Sequence, residues 1–256
     1  MKPIRQLQVR RYVTPLREGG SLPAIVEADD EGLYVLKFRG SGQGPKALIA
    51  ELVAGEIARA LGLDVPEIVL ADLDGQELAR TEADPEIQAL IRASHGLNLA
   101  LDYLPGAVTY DPLAWRPDAD LASRIVWFDA YVSNVDRTAK NVNLLLWHGR
   151  LRLIDHGAAL YFHHDWSTAA GRSQDPFERI ASHVLLPLAS QLAAVDEALA
   201  ATLTPDVLRG IVDAVPDTWL GDAGGTGRRD DYVSLLTARL AAPRRFVEEA
   251  IRARTR

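Results

Sequence analysis

Residues 134–160, NVDRTAKNVNLLLWHGRLRLIDHGAAL, constrain the fold of this chain more than any other stretch. Leu144–Trp147 and Leu151–Ile154 are β-prone runs separated by His148, Gly149 and Arg150. That pattern predicts a β-hairpin, with the glycine in the turn. A hairpin carries the backbone out and brings it back to nearly the same point. Asn141 just before it and Asp155 just after it are therefore expected to converge, with Asp136 close by. An amide oxygen and a carboxylate facing one point suit Mg²⁺, which takes few protein ligands and completes its shell with water and substrate phosphates. A further free carboxylate suits acceptance of a proton from an attacking hydroxyl. The competing reading is an exposed connector, because Asp, Asn and Thr are common in turns. The second aspartate, at the far end of the hairpin, favours the first reading.

Composition sets outer limits. A chain of 256 residues, 48% hydrophobic and 25% charged, can bury a sizeable core and fits one domain with two lobes. The net charge of −7 weighs against a nucleic-acid partner. Cysteine is absent, which excludes disulfides and thiolate metal sites. The N-terminus, MKPIRQLQVRRYV, lacks the apolar core of a secretory signal, and no apolar run reaches the roughly 20 residues of a membrane span. A cytoplasmic protein is the expectation. His163-His164-Asp165 lacks the ligand separation of a zinc site and is not read as one.

Three strands are predicted near the N-terminus: Gln8–Val13, Leu22–Ala28 and Leu33–Arg39. Between the first two, Gly19, Gly20 and Ser21 form either a plain turn or a loop whose backbone N–H groups can approach a phosphate. Lysine occurs only at positions 2, 37, 46 and 140, so Lys37 inside an apolar strand stands out. Alternation puts Leu33, Val35 and Lys37 on one face, with Tyr34, Leu36 and Phe38 on the other. An ammonium in such a setting must reach solvent or find an anion. The predicted helix Lys46–Leu61, stopped by Gly62 with Pro66 beyond, offers Glu51 and Glu56. Glu56 falls within the apolar stripe of Ile49, Leu52, Val53, Ile57, Ala60 and Leu61. Glu51 faces nearly the other way, where Ala47, Ala50, Ala54, Gly55 and Ala58 make a second face small enough to pack. Both glutamates remain candidates.

Further along, Ile68–Leu73 and Glu77–Thr81 suggest a hairpin around Asp74-Gly75, followed by a polar helix or loop to Ala93. Leu97–Leu104 reads as a strand ended by Pro105-Gly106, and Leu121–Val132 as a helix leading into Asp136. Helices are expected over Phe177–Val195, Asp196–Leu203, Pro205–Ala214, Tyr232–Ala241 and Pro243–Arg254. Gly221–Gly227 reads as a loop with no strand before it, which rejects a dinucleotide fingerprint. The arginines of the tail, from Arg244 to Arg256, read as a solvated helix face.

An aspartate, an asparagine five residues on, a strand pair and an aspartate before glycine is the order found in protein kinases. Here Asp136-Arg-x-x-x-Asn141 and Ile154-Asp155-His156-Gly157 stand in place of His-Arg-Asp and Asp-Phe-Gly. That wording resembles the HipA-like kinases and the related phosphatidylinositol-kinase branch, over roughly residues 8–160. The resemblance implies an α+β, two-lobed protein kinase-like fold, with a β-rich N-lobe (residues 1–104) and a mostly helical C-lobe (residues 105–256). It implies ATP and Mg²⁺ as cofactors, Asp136 as catalytic base, and Asn141 and Asp155 as metal ligands. Lys140 would stabilise the transferring phosphoryl group. Lys37 would contact ATP, Gly19, Gly20 and Ser21 would cover its phosphates, and the backbone around Leu101, Asp102 and Tyr103 would meet the adenine edge. HipA-like kinases place the lysine's glutamate eleven residues before the Gly of a Gly-Leu-x-Val-Pro ending, which selects Glu51 here and keeps Glu56 as the alternative. Arg137 is assigned to structure, Asn143 is a spare amide, and His156 is assigned to packing. The implied activity is phosphorylation of a protein Ser/Thr hydroxyl, with a regulatory partner protein among the expected partners. The alternatives are an inactive nucleotide-binding module, or a kinase of a small molecule or lipid. HipA toxins carry a further N-terminal subdomain that this chain is too short to include, which weighs against toxin activity and antitoxin pairing.

Overall fold

The computed structural model describes residues 3–16, 22–42, 44–221 and 225–256. The N-terminal part contains strands β1 (Gln6–Pro15), β2 (Ala24–Ala28) and β3 (Leu33–Lys37), helix α1 (Pro45–Ala60) and strand β4 (Ile68–Leu73). Two short helices, α2 (Gly75–Leu78) and α3 (Pro85–Ala93), lead to β5 (Gly96–Asp102). The strands close into a barrel in the order β1-β2-β3-β5-β4. Closure comes from a parallel pairing in which Gln6, Leu7 and Gln8 meet Leu70, Ala71 and Asp72. A closed sheet has no free edge on which to aggregate. Alternation along β3 follows the sequence. Tyr34, Leu36 and Phe38 join Val26, Val69 and Ala100 in one buried cluster. Val35 and Lys37 lie half-buried on the opposite face. There Lys37 pairs in register with Leu99, which belongs to the larger core shared with α1.

The predicted hairpin over Ile68–Leu73 and Glu77–Thr81 does not form. Asp74 caps a helix instead of opening a turn: its Oδ1 accepts from the amides of Gln76 (3.0 Å) and Glu77 (3.2 Å). Asp-Gly serves either purpose, and the short-range pattern does not tell a hairpin turn from a helix N-cap.

The C-terminal part begins with β6 (Val108–Thr109), α4 (Ala119–Val132), β7 (Leu144–Trp147) and β8 (Arg150–Leu153). The predicted hairpin is present, with Leu144 opposite Leu153 and Trp147 opposite Arg150. Helices α5 (Trp166–Ala169), α6 (Leu192–Thr202), α7 (Pro205–Asp213), α8 (Gly225–Arg239) and α9 (Arg245–Arg254) follow. The expected helix Phe177–Val195 is instead a pair of 3-10 turns, Glu178–Ser182 and Leu186–Leu188, with α6 starting only at Leu192. Pro187 lies in the second turn, where it lacks the N–H a continuing helix needs. Helix α8 starts inside the segment read as a glycine loop. Arg244 departs from the solvated tail: it is buried, with its Nε donating to Asp196 at 2.8 Å and a terminal nitrogen to Glu197. Among the described residues, no helix is long and apolar enough to cross a membrane.

Helix α1 joins the two parts. It is buried all round from Leu48 to Ala58, so its small face packs as closely as its apolar stripe. At Gly55 an added Cβ would come within 2.5 Å of Ile68 Cδ1, so β4 sits almost against the helix backbone. Ala60, placed in the stripe by periodicity, is exposed near the helix end. Beyond that end, Leu61 O accepts from Arg124 of α4 (2.5 Å), and Asp64 O accepts from the Leu153 amide of β8 (2.8 Å). Helix α4 is the core of the C-terminal part. Its Trp127 is fully buried against Tyr131 and Phe246, with ring centroids 5.4 and 5.3 Å apart, and donates to Asp196 at 2.8 Å. Trp127→Ala is expected to lower unfolding free energy by about 3–5 kcal/mol in urea titrations, through lost burial plus the residual cavity. A loss under about 1 kcal/mol would mean that this helix is not the packing centre it resembles.

Candidate active site

Two charge clusters position the candidate residues: a buried ion pair, and a half-buried lysine held between two carboxylates. Helix α4 ends where Ser133 turns left-handed (φ 56°), which drops the chain into the Asn134–Asn141 loop. Asp129, one turn back and fully buried, holds that loop. Its Oδ1 accepts from Asn134 Nδ2 (2.8 Å), and its Oδ2 from Arg137 Nε (2.6 Å) and His183 Nε2 (2.9 Å). Arg137 Nη1 continues to the carbonyl oxygens of Asn143 and Ile154, one at each base of the hairpin. The Ile154 amide also donates to Asn143 O at 3.2 Å. One guanidinium thus ties helix, loop and hairpin together. Burial pushes the Asp129 carboxyl up, but Arg137 and His183 outweigh it and hold it well below its ordinary range.

Asp136 is half-buried in this loop and accepts from Asn141 Nδ2 at 2.7 Å. Asn143 Nδ2 lies 3.4 Å from both the carbonyl and Oδ2 of Asp136. Giving its NH₂ to Asp136 leaves Asn141 Oδ1 without a hydrogen bond among the described residues. Lys140 is exposed at the loop tip.

Across the site, Lys37 Nζ donates to Glu51 Oε2 and to Asp155 Oδ1, both at 2.5 Å. The Lys37 side chain is 15% exposed, the Glu51 side chain is fully enclosed, and the Asp155 side chain is 45% exposed. Burial works against charge on Lys37, yet Glu51 and Asp155 together raise its pKa above the usual lysine value. Burial likewise opposes charge on Glu51, but Lys37 and His156 hold its carboxyl below the usual range. Glu56 sits elsewhere. It is paired with Arg59 at 3.4 Å and lines a cavity of about 520 Å³ between α1 and α7. Of the two glutamates left open by the sequence, Glu51 meets the lysine. His156 makes more than packing contacts, because its Nδ1 lies 3.1 Å from Glu51 Oε1.

Asp155 adopts a left-handed backbone (φ 57°), as do Asn143 (φ 48°) and Leu160 (φ 54°). Non-glycine residues in that region are uncommon and concentrate at functional turns. The donors here are hard oxygens. Among the described residues, no group of three or more His, Asp or Glu side chains could hold a metal by itself. Among the described residues, neither Asp155 Oδ2 nor Asn141 Oδ1 makes a hydrogen bond, and hard oxygens of this kind suit a cation such as magnesium that draws most of its shell from water and phosphate.

Gly19, Gly20 and Ser21 lie outside the described residues. Leu101 is buried in β5, and the amides of Asp102 and Tyr103 are already donated, to Glu67 O (2.9 Å) and Leu33 O (3.0 Å). Those two N–H groups are therefore not free for a ligand. His163 is buried, bonded through Nδ1 to the Tyr232 hydroxyl (2.9 Å), and pushed down to about 3 by burial. Sequence reasoning missed Asp129, Asn134 and His183. An acidic residue inside the apolar run RIVWFDAYV was the available signal for Asp129; His183 offered none.

A family model described as HipA-like kinase matches residues 9–243. The chain belongs to the HipA-like kinase family. Among solved structures, that of the Helicobacter pylori proinflammatory kinase CtkA is similar over 99% of both chains, with a TM-score of 0.59 and 12% identity. The Golgi casein kinase is similar over 99% of this chain and 74% of its own, with a TM-score of 0.51 and 12% identity. A structure of that kinase with Mn/ADP bound gives a TM-score of 0.52 at 12% identity and the same coverage. At this identity the likeness shows a shared kinase-like fold. No curated protein matches the chain. Membership of the HipA-like kinases, with this fold, supports a phosphotransferase of the kinase type.

Because the folded Asp129 carboxyl lies below the unfolded value near 3.8, the unfolded chain takes up that proton first as the solution is acidified. The stability Asp129 contributes is complete above that value and is lost on acidification through the folded pKa. Urea midpoints are expected to fall more steeply below about pH 4 for the wild type than for Asp129→Asn. At neutral pH the variant should be less stable by about 3–5 kcal/mol, because Arg137 keeps a buried charge without its counter-ion. Equal acid slopes would show that this pair does not govern acid stability.

Proposed function

We propose that this protein transfers the γ-phosphoryl group of ATP to a hydroxyl, with a protein serine or threonine as acceptor. The observation that carries the reading is the Lys37 ammonium held between Glu51 and Asp155, residues 14 and 118 positions away in the chain. A lysine fixed in this way is oriented for phosphate oxygens, and phosphoryl transfer depends mostly on positioning and charge. The proposal divides the chain into a β-rich lobe (residues 1–104) and a helical lobe (residues 105–256), with the nucleotide between them.

In this scheme Lys37 orients ATP phosphates and Glu51 keeps Lys37 in place. Gly19, Gly20 and Ser21 cover the phosphates. Leu101 and Tyr103 border the adenine, contacting it through groups other than the committed amides of residues 102 and 103. Asn141 and Asp155 would hold magnesium, which when bound supplies charge neutralisation on the phosphate chain. Asp136, steadied by Asn141 and Asn143, accepts the proton of the attacking hydroxyl. Lys140 is free to meet charge that builds on the transferring group.

Incubation of the purified protein with Mg²⁺ and γ-labelled ATP is expected to label the protein itself or an added protein. Asp136→Ala should lose about a hundredfold to ten-thousandfold in kcat. Its ATP affinity, measured by calorimetry, should change little. Undiminished transfer by that variant would remove Asp136 from the role of base. Nucleotide binding by the wild type with no transfer to protein, lipid or small-molecule acceptors would leave a binding module in place of an enzyme.

A further inference from the structure

His156 has no task in the phosphotransfer scheme, yet it is completely buried and touches one of its members. Its Nδ1 lies 3.1 Å from Glu51 Oε1, and its ring stands edge-on to Phe128 with centroids 5.7 Å apart. Its Nε2 is buried with no hydrogen-bond partner among the described residues. Glu51 divides its carboxylate between two partners, Oε2 to Lys37 and Oε1 to His156. An ionised carboxylate only accepts, so His156 Nδ1 carries the hydrogen.

His156 also follows Asp155 directly, and Asp155 is the other partner of Lys37. The contacts therefore close a ring: Lys37 to Glu51, Glu51 to His156, one step of backbone to Asp155, and back to Lys37. Three elements contribute to it: β3, α1 just after it, and the turn after β8, about a hundred residues further along. Neighbouring residues in an extended chain point to opposite sides. The left-handed turn at Asp155 (φ 57°) is what lets both of these side chains converge on one ion pair.

We infer that His156 is a positioning residue for phosphotransfer: its Nδ1–H fixes the second oxygen of Glu51 and so keeps α1 docked on Lys37. The need arises because phosphates and a metal ion would compete for Lys37 and Asp155. In that event the His156–Glu51 bond is the link of the ring that ligand binding leaves untouched. The kinetic consequence rests on the phosphotransfer reading, and the geometric one does not. A histidine that only filled space would be matched by phenylalanine, which keeps the ring shape and the edge contact with Phe128 but has no donor.

Crystal structures and steady-state kinetics of His156→Phe and His156→Asn test this. In His156→Phe the Lys37–Glu51 separation should open beyond about 4 Å. Its kcat should fall about ten- to a hundredfold, as when an outer partner of a functional group is lost, with acceptor KM nearly unchanged. Asparagine, whose Nδ2–H can stand near the place of Nδ1–H, should keep the contact and bring kcat back to within a few-fold of wild type. In a Glu51→Gln background the phenylalanine change should cost little more, because it acts through Glu51. Should His156→Phe fail to fold, His156→Leu is read the same way. An intact Lys37–Glu51 contact with wild-type kcat in the donor-less variant overturns the inference, as does an equal loss in the Glu51→Gln background. A wild type without any phosphotransfer would sink the functional reading alone, and the Lys37–Glu51 separation would still decide the role of His156.

Discussion

The buried pair of Arg137 and Asp129 is the constraint on which the rest of the structure depends. Neither side chain is exposed, so each charge has given up its hydration and must be answered inside the protein. Such pairs often add little net stability compared with an apolar filling. What this one supplies is position. Asp129 belongs to the central helix, Arg137 to the loop after it, and the guanidinium reaches carbonyls at both bases of the hairpin. Asn141 precedes one base and Asp155 follows the other. Their relative placement is thus set by a charge that cannot move without leaving its partner uncompensated.

The Lys37 cluster applies the same physics at a higher, partly open level. Desolvation alone would neutralise both the lysine and Glu51, and each is kept charged by the other. Asp155 is nearly half exposed, so it is the partner that solvent and ligands can reach. The arrangement joins a rigid, enclosed pair to an accessible carboxylate. That division suits a site in which one contact must persist while another is exchanged, and it is why Asp155 is the carboxylate proposed to meet the metal.

The chain also contains places where a local signal pointed the wrong way. Asp74-Gly75 has the wording of a hairpin turn and caps a helix, because both motifs use an aspartate that accepts nearby amides. The apolar run after Phe177 has helical spacing and breaks into tight turns around Pro187. His156 was legible only as a buried ring, since its partner Glu51 lies 105 residues away. Glu51 itself was ambiguous for a related reason. Periodicity assigns one buried stripe to a helix, and α1 is enclosed on every side.

The sequence by itself determined the strands around Lys37, the long helix after them, the hairpin and the order of acidic and amide residues along the chain. These follow from side-chain periodicity and turn chemistry, which act over a few residues. Only the tertiary structure decided that the first sheet closes on itself, that Glu51 instead of Glu56 meets Lys37, and that Asp129, His183 and His156 support the site. The closure depends on backbone pairing between β1 and β4, and the other outcomes on which buried charge finds which polar partner. Most of these contacts join segments 50 to 120 residues apart, and even Lys37 and Glu51, 14 apart, meet across two elements, so no local pattern encodes them.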